Sequence, residues 1–246
     1  MPRMLTSAPT HHPIIQGYLV IYNLLMFLIH YFVFVDVLHE VKKNNYSYFH
    51  HFETLRIATA LQLFDVFHGL IGLTKTNFVV GLFQVFGRLF VLQCIHGIDS
   101  LYKEVFPVLV LVTAYLLIEL IRYPYYCLRA INQTWKPITF LRYNAWIVLY
   151  PIGFVCEYNT LARVGYTHYT RGTFAPYVPN CLANFYFFVF VGSVLTVLII
   201  YLAQFLLSHM DKQRQKHYNK ALIFPTVRRI QLKARQLWRK YSTKSY

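Results

Sequence analysis

Charge is what this 246-residue chain has least of: 13% of its residues are Asp, Glu, Lys or Arg, where a soluble domain carries about 25%. With 57% of the residues hydrophobic, a water-facing surface could not be covered without large apolar patches. That excludes an ordinary soluble globule, and it excludes a disordered chain as well. Cysteine is sparse: Cys94, Cys127, Cys156 and Cys181 contain no C-x-x-C pair, so they are read as packing residues rather than disulfide or zinc ligands. Neither G-x-G-x-x-G nor G-x-S-x-G occurs, which argues against a Rossmann reductase or a nucleophile-elbow hydrolase. The pairs His11-His12 and His50-His51 lack the further histidine of an H-x-x-H-H box. A di-iron desaturase or a condensing elongase is thereby disfavoured, and no metal or cofactor is expected. The N-terminal stretch, Met1 to Pro13, is followed by an apolar run longer than a signal-peptide core and is not expected to be one.

What the chain does have is long apolar runs. A helix needs about 20 mostly apolar residues to cross the hydrocarbon layer. Residues 14–36, 55–73, 78–98, 105–127, 140–158 and 183–207 qualify. None shows the alternation of a barrel strand, so they should be helices. The expected fold is therefore all-α: a polytopic membrane protein, a six-transmembrane-helix bundle. Residues 1–210 form the membrane domain and residues 211–246 a basic cytosolic tail.

The 24 basic residues outnumber 9 acids, for a net charge of +15. Residues 211–246 alone hold eleven Lys and Arg against Asp211. A basic tail behind an apolar body fits an anionic membrane surface, not nucleic acid, and the positive-inside rule puts it in the cytosol. Six spans place both termini there. Within the tail, Val227 to Lys240 reads as an interfacial helix.

Ionisable groups inside spans are costly, so function is sought there. Asp65, His68, Arg88, His96, Glu119, Arg122, Arg142 and Glu157 all fall in apolar runs. The three acids and three arginines predict pairing inside the bundle, with Glu119 and Arg122 close enough to meet on one helix. Such pairs could equally do no more than hold helices together. The segment around Glu157 stands apart. Tyr150 and Glu157 are seven residues apart, two turns on nearly one face, and Pro151 between them predicts a kink at Tyr150. Gly153 allows the close approach of a backbone or ligand. A bent span presenting a phenol and a carboxyl to one interior cavity is a candidate site whose chemistry the spacing leaves open.

The segment LRYNAWIVLYPIGFVCE, residues 141–157, resembles the signature of the 3-hydroxyacyl-CoA dehydratase (protein-tyrosine-phosphatase-like) family of fatty-acid elongation. YLVIYN from Tyr18, LQLFDVFHGLIG from Leu61, QVFGR from Gln84 and ELIRYPYY from Glu119 agree in order. Asp65 stands where the family pattern leads one to expect Glu, and Gly87 where Ser is expected. The resemblance implies a membrane lyase of the endoplasmic reticulum that removes water from a (3R)-3-hydroxyacyl-CoA to give the trans-2-enoyl-CoA. That is the third step of very-long-chain fatty-acid elongation. It also implies the elongase, ketoacyl reductase and enoyl reductase as partners and membrane lipid as surroundings. It assigns catalysis to Tyr150 and Glu157. One works at the proton on C2 and the other at the leaving hydroxyl, with Tyr150 at C2 slightly preferred. Arg88, Arg122, Arg142 and Gly153 are then expected to contact substrate, Arg129 and Lys136 to lie near the CoA phosphates, and Asp65, His68 and Glu119 to support the site. The alternative is a non-catalytic membrane scaffold of the same lipid machinery.

Overall fold

The computed structural model describes residues 13–74, 76–97, 105–171 and 181–218, and all regular structure among them is helical. The helices are α1 (Pro13–Lys42), α2 (Tyr48–Leu61), α3 (Leu63–Leu70), α4 (Phe78–His96), α5 (Val105–Ala130), α6 (Lys136–Asn144), α7 (Trp146–Thr170) and α8 (Cys181–Tyr218). By internal contacts, residues 7–199 make one compact unit and residues 1–6 with 200–246 another. The site lies in the first. The expected interfacial helix, Val227 to Lys240, falls outside the described residues, as does most of the basic tail.

Among the described residues, five stretches are long and apolar enough to cross a membrane: Pro13–Lys42, Phe78–His96, Phe106–Ala130, Lys136–Thr170 and Phe188–Tyr218. The run at 55–73 is instead divided between α2 and α3, broken at Gln62. The cause is local and polar. Gln62 is buried, and its side-chain amide reaches His30 Nε2 at 3.2 Å while its oxygen accepts from Arg88 Nη1 at 3.4 Å.

Two asparagines end helices. Asn44 (φ 52°) follows α1 and Asn132 (φ 56°) follows α5. In each case the next residue donates back five positions, Asn45 N to Glu40 O at 3.0 Å and Gln133 N to Leu128 O at 2.8 Å. These are left-handed C-terminal caps that satisfy carbonyls the helix leaves open. A helix boundary falls at Ala145, ahead of the kink expected at Tyr150–Pro151, and both of those residues lie inside α7. Pro151 is the sixth residue of that helix, so its missing N–H removes one intrahelical bond, to the Ile147 carbonyl.

α5 is the central element. It packs along α1 on one side and α7 on the other. Both neighbours run antiparallel to it. Early α1 meets late α5 where the Cys127 thiol lies 4.0 Å from the Val20 carbonyl, and Tyr115 faces Glu157 while Tyr125 faces Tyr143. The apolar core gathers Val33, Val37, Tyr48, Phe52, Leu55, Leu92, Ile95, Leu111 and Leu161. Outward, Phe32, Phe86, Phe90, Phe106, Val155 and Val197 are exposed. A rim this apolar belongs in lipid, where helices satisfy every backbone group internally.

Candidate active site

Two polar layers cross the apolar bundle. The first joins α3, α4 and α5. Arg122 Nη2 donates to Asp65 Oδ2 at 2.5 Å, and its Nε pairs with Glu119 Oε2 at 3.0 Å. Glu119 Oε1 accepts from Arg88 Nη1, and Tyr123 adds a hydroxyl to Asp65 at 3.1 Å. Glu119, 1% exposed, is thus shared by two arginines. Burying such ions is tolerable only because each charge meets an opposite one, although Glu119 Oε2 and Arg122 Nε face each other as an ion pair without hydrogen-bond geometry. Beside this layer lies a cavity of about 10 Å³ lined by His30, Thr59, Gln62, Arg88, Tyr115 and Glu119, which is roughly the room one water needs.

The second layer is on α7. Tyr150, 9% exposed, accepts a hydrogen bond from Gln84 Nε2 of α4 at 3.1 Å, and its ring meets Trp146 and Phe154 edge-on. Two turns along, Glu157 Oε1 accepts from the Tyr115 hydroxyl of α5 at 2.5 Å. No direct bond joins Tyr150 and Glu157 among the described residues. Arg88 connects the two layers through Tyr115: its guanidinium lies 4.9 Å from the centre of the Tyr115 ring. Gly153, buried between the two in sequence, would meet no atom within 4 Å if it carried a methyl, so open space adjoins it.

The other expected site residues divide. Arg142, on α6, donates to the Tyr126 hydroxyl at 3.2 Å and lies over its ring at 5.6 Å. Arg129 is half-buried and Lys136 exposed in the same α5–α6 region. Arg88 and Arg122, expected to contact substrate, spend donors on Glu119 and Asp65. His68 does not join Asp65 and Glu119; it bonds the Tyr18 hydroxyl at 2.8 Å and packs edge-on against Tyr22. Sequence reasoning did not single out Tyr115 or Gln84. The signal for Tyr115 was present: a phenol four residues before Glu119, hence on the same face of an apolar helix.

The family described as "Protein tyrosine phosphatase-like protein, PTPLA" matches residues 59–220. The chain is 32% identical over 208 residues to a very-long-chain (3R)-3-hydroxyacyl-CoA dehydratase of Gallus gallus, covering 82% of this chain and 57% of that protein. It is 30% identical over 211 residues to dehydratase 3 of Mus musculus, covering 82% and 58%. To dehydratase 2 of Mus musculus it is 30% identical over 210 residues, covering 83% and 82%. The chain therefore spans under three fifths of the length of the first two of these relatives. No solved structure matches it.

Proposed function

Since the chain belongs to the protein tyrosine phosphatase-like family, we propose that it is a membrane-embedded 3-hydroxyacyl-CoA dehydratase. It removes water from a (3R)-3-hydroxyacyl-CoA to leave the trans-2-enoyl-CoA, the third step of very-long-chain fatty-acid elongation. The observation that carries this reading is the pairing on α7: a phenol and a carboxyl two turns apart, each held by a different neighbouring helix.

The elimination breaks C2–H and C3–O, forms C2=C3 and releases water, so it needs a base at C2 and an acid at the hydroxyl. The hydrogen bonds favour one division of that work. Tyr115 donates to Glu157, an arrangement that suits a carboxylate acting as base. Gln84 donates to the phenol oxygen of Tyr150, which leaves the phenol's own hydrogen for the departing hydroxyl. Glu157 takes the C2 proton, the C2–H electron pair becomes the double bond, and the Tyr150 proton leaves with oxygen as water. One proton passed back from Glu157 to Tyr150 resets the pair. This is the reverse of the assignment slightly preferred from sequence.

The substrate lies along α7 past Gly153, where open space adjoins the helix. Arg142, with Arg129 and Lys136 nearby, meets the CoA phosphates, which guanidinium forks suit. Arg88 and Arg122 act through their ion pairs, Arg88 holding the Tyr115–Glu157 side of the site. Topologically, α2 and α3 together make the sixth crossing, both termini face the cytosol, and the membrane is that of the endoplasmic reticulum. Residues 1–210 form the membrane unit and 211–246 the basic tail. The elongase, ketoacyl reductase and enoyl reductase of the cycle are the expected neighbours.

The test is to reconstitute the chain in lipid nanodiscs and offer (3R)- and (3S)-3-hydroxyacyl-CoA. Enoyl product from the (3R) form alone supports the proposal. No product from either points to the non-catalytic scaffold.

A further inference from the structure

Tyr115 has more partners than a packing residue needs. It sits on α5, 7% exposed, and its hydroxyl donates to Glu157 Oε1 at 2.5 Å. Its ring lies beneath the Arg88 guanidinium, 4.9 Å from carbon to ring centre. Arg88 is itself fixed by Glu119, one turn along the same helix as Tyr115. The phenol is thus held on its face by a cation that the charge network immobilises, and its hydroxyl is delivered across the bundle to α7. Phenylalanine would fill the same volume and keep the ring under the arginine; only the bond to Glu157 requires the oxygen.

Glu157 needs such a partner. None of its described contacts is an ion pair, because Arg88 and Arg122 are committed to Glu119 and Asp65. Without one, a half-buried glutamate with three rotatable bonds samples several rotamers. A bond from a rigid phenol selects one, and by engaging Oε1 it leaves the second oxygen to face the reacting carbon. Bonds to a charged oxygen are also the shorter and stronger kind.

Resting on the dehydratase reading above, we propose that Tyr115 is a positioning residue for Glu157: its hydroxyl holds the carboxyl in the orientation that proton abstraction at C2 requires. A misplacement of about 1 Å costs on the order of 10²-fold in rate. Tyr115→Phe is therefore expected to lower kcat about 10- to 100-fold with KM within about twofold. Val108→Ala, at a buried core position two turns earlier on α5, should lower the melting temperature and leave kcat unchanged.

The experiment compares wild type, Tyr115→Phe and Val108→Ala in nanodiscs by steady-state kinetics. It also records the infrared carboxyl band assigned to Glu157 by subtracting the Glu157→Gln spectrum. The expected result is a kcat loss confined to Tyr115→Phe together with a shifted Glu157 band. Wild-type kcat in Tyr115→Phe, a change in KM alone, or an unshifted band overturns the inference and leaves the dehydratase reading standing. An inactive wild type removes the dehydratase reading, and with it this role for Tyr115; the band then reports only whether the contact exists. If Tyr115→Phe does not fold, 3,5-difluorotyrosine at position 115 keeps the shape while altering the donor. It must then shift both kcat and the band, and a change in neither overturns the inference.

Discussion

The two polar layers use the same residue types to opposite ends. In the α3–α4–α5 layer, Arg88, Arg122, Asp65 and Glu119 are matched to one another, with Gln62 and Tyr123 filling hydrogen bonds around them. In the α7 layer, Tyr150 and Glu157 have one hydrogen-bond partner each, Gln84 and Tyr115, and open space adjoins Gly153 between them. Charges matched to one another inside the bundle hold helices together, and their attraction is spent before a substrate arrives. A group held by one hydrogen bond and no ion pair is oriented and still has capacity to react. Burial alone does not separate structural from chemical polar residues in a membrane bundle. Whether each charge is already matched does.

That contrast breaks most visibly on α7. Tyr150→Phe and Glu157→Gln are each expected to cost about 10²- to 10⁴-fold in kcat, while the thermal midpoint in detergent stays close to wild type. A comparable loss of stability would erase the distinction between the layers. Glu119→Gln should strike stability first. It leaves two buried guanidiniums without their shared carboxylate, at a cost of about 3–5 kcal/mol, seen as a large drop in melting temperature or in folded yield. A smaller effect is expected at Arg142, which belongs to neither closed set. Arg142→Glu should raise KM at least about tenfold, the worth of one charge-assisted contact, with kcat little changed; a pure kcat loss would mark a structural role. Smallest is Tyr18→Phe, which removes the bond to His68. It should cost about 1 kcal/mol of stability and nothing in activity, since that pair touches neither layer's key groups.

Much of this was legible before the structure. The apolar runs announced the long helices, and the charges inside them announced Asp65, Arg88, Glu119 and Arg122 as members of a paired set. Tyr150 and Glu157 stood out by spacing and setting. Partner choice was hidden, because it depends on the order of helices around the bundle, with α5 between α1 and α7, and span composition does not encode that order. Hence Glu157 meets a tyrosine rather than an arginine, and His68 joins Tyr18 rather than Asp65. The helix breaks at Gln62 and Ala145 were hidden for a related reason. At Gln62 a buried side chain bonding across to α1 and α4 takes precedence over a continuous apolar run.

The account stands on the division of proton work between the two α7 residues, and swapping the leaving group tests it most directly. Fluoride departs with far less need of a proton than hydroxide. Turnover of the 3-fluoro analogue of the acyl-CoA should therefore be restored in Tyr150→Phe to within about tenfold of wild type, while Glu157→Gln stays inactive. Rescue of Glu157→Gln instead, or equal failure of both variants on the fluoro substrate, would contradict the assignment of Glu157 as base and Tyr150 as acid.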